Sequence, residues 1–128
     1  MPKSTEITIP VPNGAGMPAT LVRPDSPMGA GIVLVQEIFG RTAYMRKRAM
    51  DLAENGYTVV LPQVYWRIGI DDIPEDSPDA LMVAVGHSQA VDWDQAVADI
   101  RTAITWLRAD PESEHAVALV GFCFGGGL

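Results

Sequence analysis

The chain has 128 residues and a formal net charge of −7, with 16 acidic residues against 9 Lys and Arg. That balance argues against a nucleic-acid surface, which needs a basic face, and against binding to anionic membranes. A content of 48% hydrophobic and 20% charged residues excludes a disordered chain and fits one globular domain, residues 1–128.

No apolar run reaches the ~18 residues of a membrane helix. The start, "MPKSTEITIPVP", has no apolar signal core, and a single cysteine forms no internal disulfide. The expected location is therefore cytoplasmic.

In chain order, "EITIPV" alternates, placing Ile7, Ile9 and Val11 on one face. With "MPATLVRP" after "PNGAG", it predicts an antiparallel hairpin around Asn13-Gly14, whose prolines Pro10, Pro12 and Pro18 suit an edge. "AGIVLVQ" (30–36) is a continuous apolar run rich in β-branched residues, as in a strand buried on both faces of a parallel sheet. A helix follows over 42–54, with Met45, Ala49, Leu52 and Ala53 on one stripe and Asn55-Gly56 as its stop. "YTVVLP" (57–62) is a second buried strand. Residues 63–87 show no clear period and read as a loop near the mouth of a site, with "LMVAVG" a short helix or a turn of one. The next helix carries Trp93, Val97, Ile100, Ile104 and Leu107 at helical spacing; Asp92 and Gln95 resemble a capping box, and Pro111 ends it. "AVALVG" (116–121) is a third buried strand. The fold class is α/β: a hairpin, then parallel β-α-β-α-β.

Directly after that last strand, Gly121-Phe122-Cys123-Phe124-Gly125 has the form G-x-nucleophile-x-G. A nucleophile in a sharp strand-to-helix turn sits at positive φ, and glycines two positions to either side remove the collisions such a turn creates. The turn lifts the side chain above the sheet, and the next backbone N–H faces a developing oxyanion. A phosphate loop would need Lys and Ser/Thr after its last glycine, and no G-x-G-x-x-G occurs within 121–127. The competing reading is a buried structural cysteine beside a tight turn.

The other chemistry-bearing residues are sparse. Taken alone, Glu37 is either a solvated residue at a strand end or a base. His87 and His115 both precede Cys123, and neither is expected to be the catalytic base. Cys123, His87 and His115 have no ligand spacing, so neither a metal nor a cofactor is expected. Tyr65, Trp66 and Arg67 follow the second strand at the carboxyl end of the sheet, where open α/β folds bind ligands, and form the candidate pocket.

Through "VLVQEIFG", "MRKRAMDLAENGYTVVLPQVYWR" and "GFCFGG", the chain resembles the N-terminal half of a dienelactone hydrolase. That family has the α/β-hydrolase fold and uses a cysteine where most relatives use serine. The resemblance implies that Cys123 is the nucleophile and that Glu37 beside it helps to deprotonate it. It also implies an oxyanion hole formed by the backbone N–H groups of Ile38 and Phe124, and a small ester or lactone as substrate. A free thiol is only a few per cent thiolate at neutral pH; a helix N-terminus favours the anion, and a buried glutamate can accept the proton.

The family's aspartate and histidine follow the nucleophile, and neither lies between Cys123 and Leu128. The expectation is thus a domain truncated at its nucleophile elbow, inactive by itself, with an open sheet edge prone to self-association. The alternative is a catalytically incomplete fragment that serves only as an interaction or assembly partner. Two departures stand out. Gln63 takes the place of an acidic residue, and no arginine lies between Arg67 and Arg101 to grip the carboxylate of a dienelactone.

Overall fold

A computed structural model describes residues 1–12, 15–36, 38–69, 79–113 and 116–121. The strands are β1 (Lys3–Pro10), β2 (Gly16–Arg23), β3 (Ala30–Val35), β4 (Thr58–Pro62) and β5 (Ala116–Gly121). The helices are α1 (Ala43–Glu54), α2 (Ala80–Ala90) and α3 (Trp93–Arg108), with 3₁₀ turns at Val64–Ile68 and Pro111–Ser113. The five strands form one sheet in the order β1-β2-β4-β3-β5. The hairpin strands β1 and β2 pair antiparallel, from Lys3 opposite Arg23 to Pro10 opposite Gly16. β2 is also antiparallel to β4, while β3 lies parallel to both β4 and β5. The expected turn at Asn13-Gly14 lies outside the described residues.

β3 is sealed on both faces, as its composition predicts. Val33 and Val35 pack in one layer with Ile100, Ala103 and Leu107 of α3. Ile32 and Leu34, one residue out of phase, pack in the other with Met45, Ala49 and Ala53 of α1. Complete burial of a Val or Leu side chain stabilises by roughly 1.5–3 kcal/mol, so these two layers hold α1 and α3 on opposite faces. Helix α1 begins where the Thr42 hydroxyl accepts the Met45 N–H at 3.2 Å. It ends at Asn55, with Gly56 in the left-handed region at φ +98°, a conformation glycine adopts without strain.

Four expectations need correction. β5 is a strand but not a buried one: none of its residues is buried, because among the described residues it pairs only with β3. Pro18 does not lie on an edge, because β2 is paired on both sides. Its carbonyl accepts the Gln63 N–H at 2.9 Å, and the Gln63 carbonyl is served instead by the Trp66 N–H at 3.3 Å. The donor that proline lacks is thus supplied by the 3₁₀ turn that follows β4.

The buried face of α3 is also rotated from the predicted stripe. Trp93 is exposed, and the face consists of Ala96, Asp99, Ile100, Ala103 and Leu107. Small side chains set it, since they let the helix lie close to the sheet. At Gly31 of β3, directly beneath, a Cβ would come within 2.9 Å of both Leu107 and Ser113.

Residues 63–87 are not simply a loop. The Gln63 side chain caps a 3₁₀ turn by accepting the Tyr65 N–H at 3.0 Å, and Gly69 closes that turn at φ +73°. Residues 70–78 lie outside the description. Helix α2 then places His87 in regular structure. It is apolar around most of its circumference, with Ala80 and Ala84 buried and Leu81, Met82, Val83 and Val85 exposed, so no helical period is visible in its sequence.

Candidate active site

The sheet reverses its order of growth at β3: β4 adds on one side and β5 on the other, with α1 and α3 on opposite faces. Open α/β sheets bind ligands outside the carboxyl ends of the strands at such a point. The register there is specific. Val35, at the end of β3, pairs with Gly121, at the end of β5. Glu37 follows Val35 by two residues, and Cys123 follows Gly121 by two. Glu37, Cys123, Phe124 and Gly125 themselves lie outside the described residues, as does His115.

The segment after β3 is anchored to the 3₁₀ turn after β4. Gln36 is completely buried, and its Oε1 accepts the Val64 N–H at 2.8 Å. Tyr65 is also completely buried, and its hydroxyl donates to the Ile38 carbonyl at 2.5 Å. Burial pushes the Tyr65 phenol up to about 12, with a hydrogen bond from the Gln36 side chain opposing the rise, so the hydroxyl is a donor throughout the neutral range. On its other side the Tyr65 ring meets His87 of α2 edge-on, with centroids 5.8 Å apart. Gly40, at φ +88°, turns the chain towards α1 in a conformation that disfavours a side chain.

The candidate pocket residues have divergent environments. Tyr65 is an internal strut. Trp66 and Arg67 converge on Asp99 of α3. The Trp66 Nε1–H donates to Oδ2 at 3.1 Å, and the Arg67 guanidinium spans both oxygens at 2.8 and 2.9 Å. Arg67 also lies over the Trp66 ring, 4.4 Å from its centroid. The hydrogen bonds to Asp99, opposed by burial, raise the Arg67 pKa, so it remains a cation.

Trp66 lines an open cleft of about 440 Å³ with Glu6, Pro18, Arg41 and Gln63. Within it, buried Arg41 donates to Glu6 at 2.7 Å. Burial raises the Glu6 pKa, but the hydrogen bond from Thr20 and the charges of Arg41 and Arg46 outweigh this and hold it below the ordinary value. Arg67 lines a smaller cavity of about 190 Å³ on the α3 side. A larger apolar cleft of about 520 Å³, between Pro10, Pro12 and Trp106, contains none of the residues at the ends of β3 and β5. Among the described residues, no cluster of His, Cys, Asp and Glu is placed to hold a metal. No helix there is long and apolar enough to cross a membrane.

Sequence reasoning missed Gln36, Arg41 and Asp99. Asp99 carried a usable signal, an acid on the helix face shared with Ala96, Ile100, Ala103 and Leu107. A carboxylate in that position requires a cationic partner. Gln36 closing an apolar strand carried a weaker one, while Arg41 depends on contacts with distant Glu6 and Thr20, which local pattern does not reveal.

Comparison with known proteins agrees with this geometry. The dienelactone hydrolase family model matches residues 17–128. The chain is 34% identical over 121 residues to carboxymethylenebutenolidase 1 of Cupriavidus pinatubonensis, covering 91% of this chain and 50% of that protein. It is 39% identical over 99 residues to the carboxymethylenebutenolidase of Pseudomonas putida, covering 76% of this chain and 42% of the relative. A crystal structure from Klebsiella pneumoniae subsp. pneumoniae, provisionally named a dienelactone hydrolase, superposes with a TM-score of 0.76 at 30% identity. It covers 98% of this chain and 52% of that one. The chain spans about half the length of the curated relatives it matches. With the sheet order, the paired ends of β3 and β5 and these matches in agreement, the chain belongs to the dienelactone hydrolase family.

Proposed function

We propose that these residues form the nucleophile-bearing part of a hydrolase that cleaves carboxylic esters or lactones through a Cys123 thioester. The observation that carries this reading is the pairing of Val35 with Gly121, which makes the segments bearing Glu37 and Cys123 leave the sheet from neighbouring strand ends. Glu37 takes the thiol proton, and the sulfur lone pair attacks the acyl carbon. The carbonyl electron pair moves onto oxygen, where the backbone N–H groups of Ile38 and Phe124 stabilise it. Collapse breaks the C–O bond, and the leaving alkoxide takes the proton back from Glu37; in a lactone it remains tethered. Water then attacks the thioester and releases the acid and the thiol. Because no arginine lies between Arg67 and Arg101, the reading favours esters and lactones that need no mid-chain carboxylate clamp.

In the natural full-length chain containing these residues, a p-nitrophenyl ester should leave one acyl group on Cys123, detectable by mass spectrometry. Cys123→Ala should abolish turnover, and full turnover in that variant would overturn the reading. Residues 1–128 by themselves, with no histidine after Cys123, should show negligible turnover.

A second reading, an interaction or assembly partner, draws on β5. Among the described residues this strand pairs only with β3, and Leu119 on it is 49% exposed. An apolar strand with one open edge is a template for another strand, including that of a second copy. Sedimentation of residues 1–128 should show concentration-dependent association. A monomer at all concentrations, with amides of 116–121 protected from exchange, would sink this second reading.

A further inference from the structure

We infer that Tyr65 is a positioning residue for Ile38, setting the direction of its N–H through a hydrogen bond to the Ile38 carbonyl. This rests on the proposed roles of Cys123, Glu37 and Ile38.

A completely buried phenol needs a partner for its hydroxyl, and this one donates to Ile38. One residue earlier in the same turn, the Val64 N–H donates to the Gln36 side chain. The residues on either side of position 37 are thus tied to two consecutive residues of one 3₁₀ turn. That turn is fixed in its own right: Gln63 caps its start, and Trp66 and Arg67 bind buried Asp99 on α3. A continuous set of hydrogen bonds therefore runs from α3 through the turn to the end of β3.

The consequence for chemistry is directional. Holding the Ile38 carbonyl limits rotation of the Ile38–Phe39 peptide, and holding Gln36 limits the chain from the other side. The Ile38 N–H lies between the two restraints. An oxyanion donor must point to where charge develops before the reaction begins, and small errors in its direction are costly. Phenylalanine would fill the same space as Tyr65, so the hydroxyl alone supplies this restraint.

The test is Tyr65→Phe in the natural full-length chain. Acylation by p-nitrophenyl acetate should slow by about 10–100-fold, below the full loss of an oxyanion donor, with KM within about twofold. Alkylation of the Cys123 thiol by iodoacetamide passes through no oxyanion and should keep its rate. Unchanged acylation would overturn the inference, and so would acylation and alkylation falling together, which marks general disordering. If Tyr65→Phe lacks a cooperative thermal transition, Tyr65→Met removes the same hydroxyl while leaving a flexible apolar side chain in the space, and provides the same comparison. Loss of acylation alone supports the inference, and unchanged acylation overturns it. Failure of the underlying reading is visible separately. An active Cys123→Ala variant removes both proposals, whereas an inactive one beside a fully active Tyr65→Phe variant removes only this one.

Discussion

β3 and β5 are neighbouring parallel strands of similar apolar composition, yet their surroundings differ sharply. From Gly31 to Val35 every residue of β3 is buried, while no residue of β5 is. Val33 is fully buried, and Leu119, opposite it in the register, is 49% exposed. An apolar run reports a strand's suitability for burial. The burial itself comes from what lies beside it and on its two faces. β3 has β4 on one side, β5 on the other, α1 on one face and α3 on the other. On β5, Val117 joins the α3 layer and Val120 the α1 layer, each only partly buried.

The strongest way to break this contrast is to truncate one leucine in each strand. Leu34→Ala removes a completely buried side chain between α1 and the sheet and should cost about 2–5 kcal/mol, read from the shift in urea midpoint. Leu119→Ala should cost less than about 1 kcal/mol, because half of that side chain is already in contact with water. Equal losses would mean that β5 is covered in solution, for instance by a second copy. Diluting the protein would then uncover β5 and restore part of the difference.

The same contrast explains what the sequence disclosed. The strands 30–35, 58–62 and 116–121 were legible because β-branched runs bounded by Gly and Pro have few alternatives. Helix α1 was legible because its apolar stripe and its stop agree. The family resemblance was legible because "QEIFG" and "GFCFGG" are separated motifs that carry chemistry. What escaped depends on contacts distant in sequence. The buried face of α3 is chosen by Gly31 and by alanines, not by its largest residue, Trp93. Pro18 is tolerated inside the sheet because the 3₁₀ turn takes over the acceptor opposite it. Tyr65 read as a pocket residue because it follows a strand end, but its depth and its bond to Ile38 emerge only when β3 and the turn are brought together.

A smaller effect sharpens the comparison from the other end. β5 gains some of its hold from the turn before it, where Asp110 receives Arg23 of β2 through two bonds, at 2.7 and 3.2 Å. Asp110 also accepts the Glu112 N–H at 3.0 Å, so this carboxylate fixes the approach to β5 as well as the end of β2. The Arg23 hydrogen bond, only partly opposed by burial, holds the Asp110 pKa below its ordinary value of 3.8. Arg23 is shifted upward, chiefly by its hydrogen bond to Asp110, and remains charged. A carboxyl whose folded pKa is depressed contributes stability that is complete above its ordinary value and is lost as pH falls through the depressed one. Arg23 is about one-third exposed, at 37%, so solvent screening limits the pair to about 1 kcal/mol or less. Asp110→Asn should therefore lower stability by that amount at neutral pH, and its deficit should shrink towards zero as pH falls below 3.8. Amide exchange at residues 116–121 should rise in the same variant while that of β3 stays unchanged. A deficit independent of pH would show that packing in the turn, and not the charge on Asp110, ties this edge strand to the sheet.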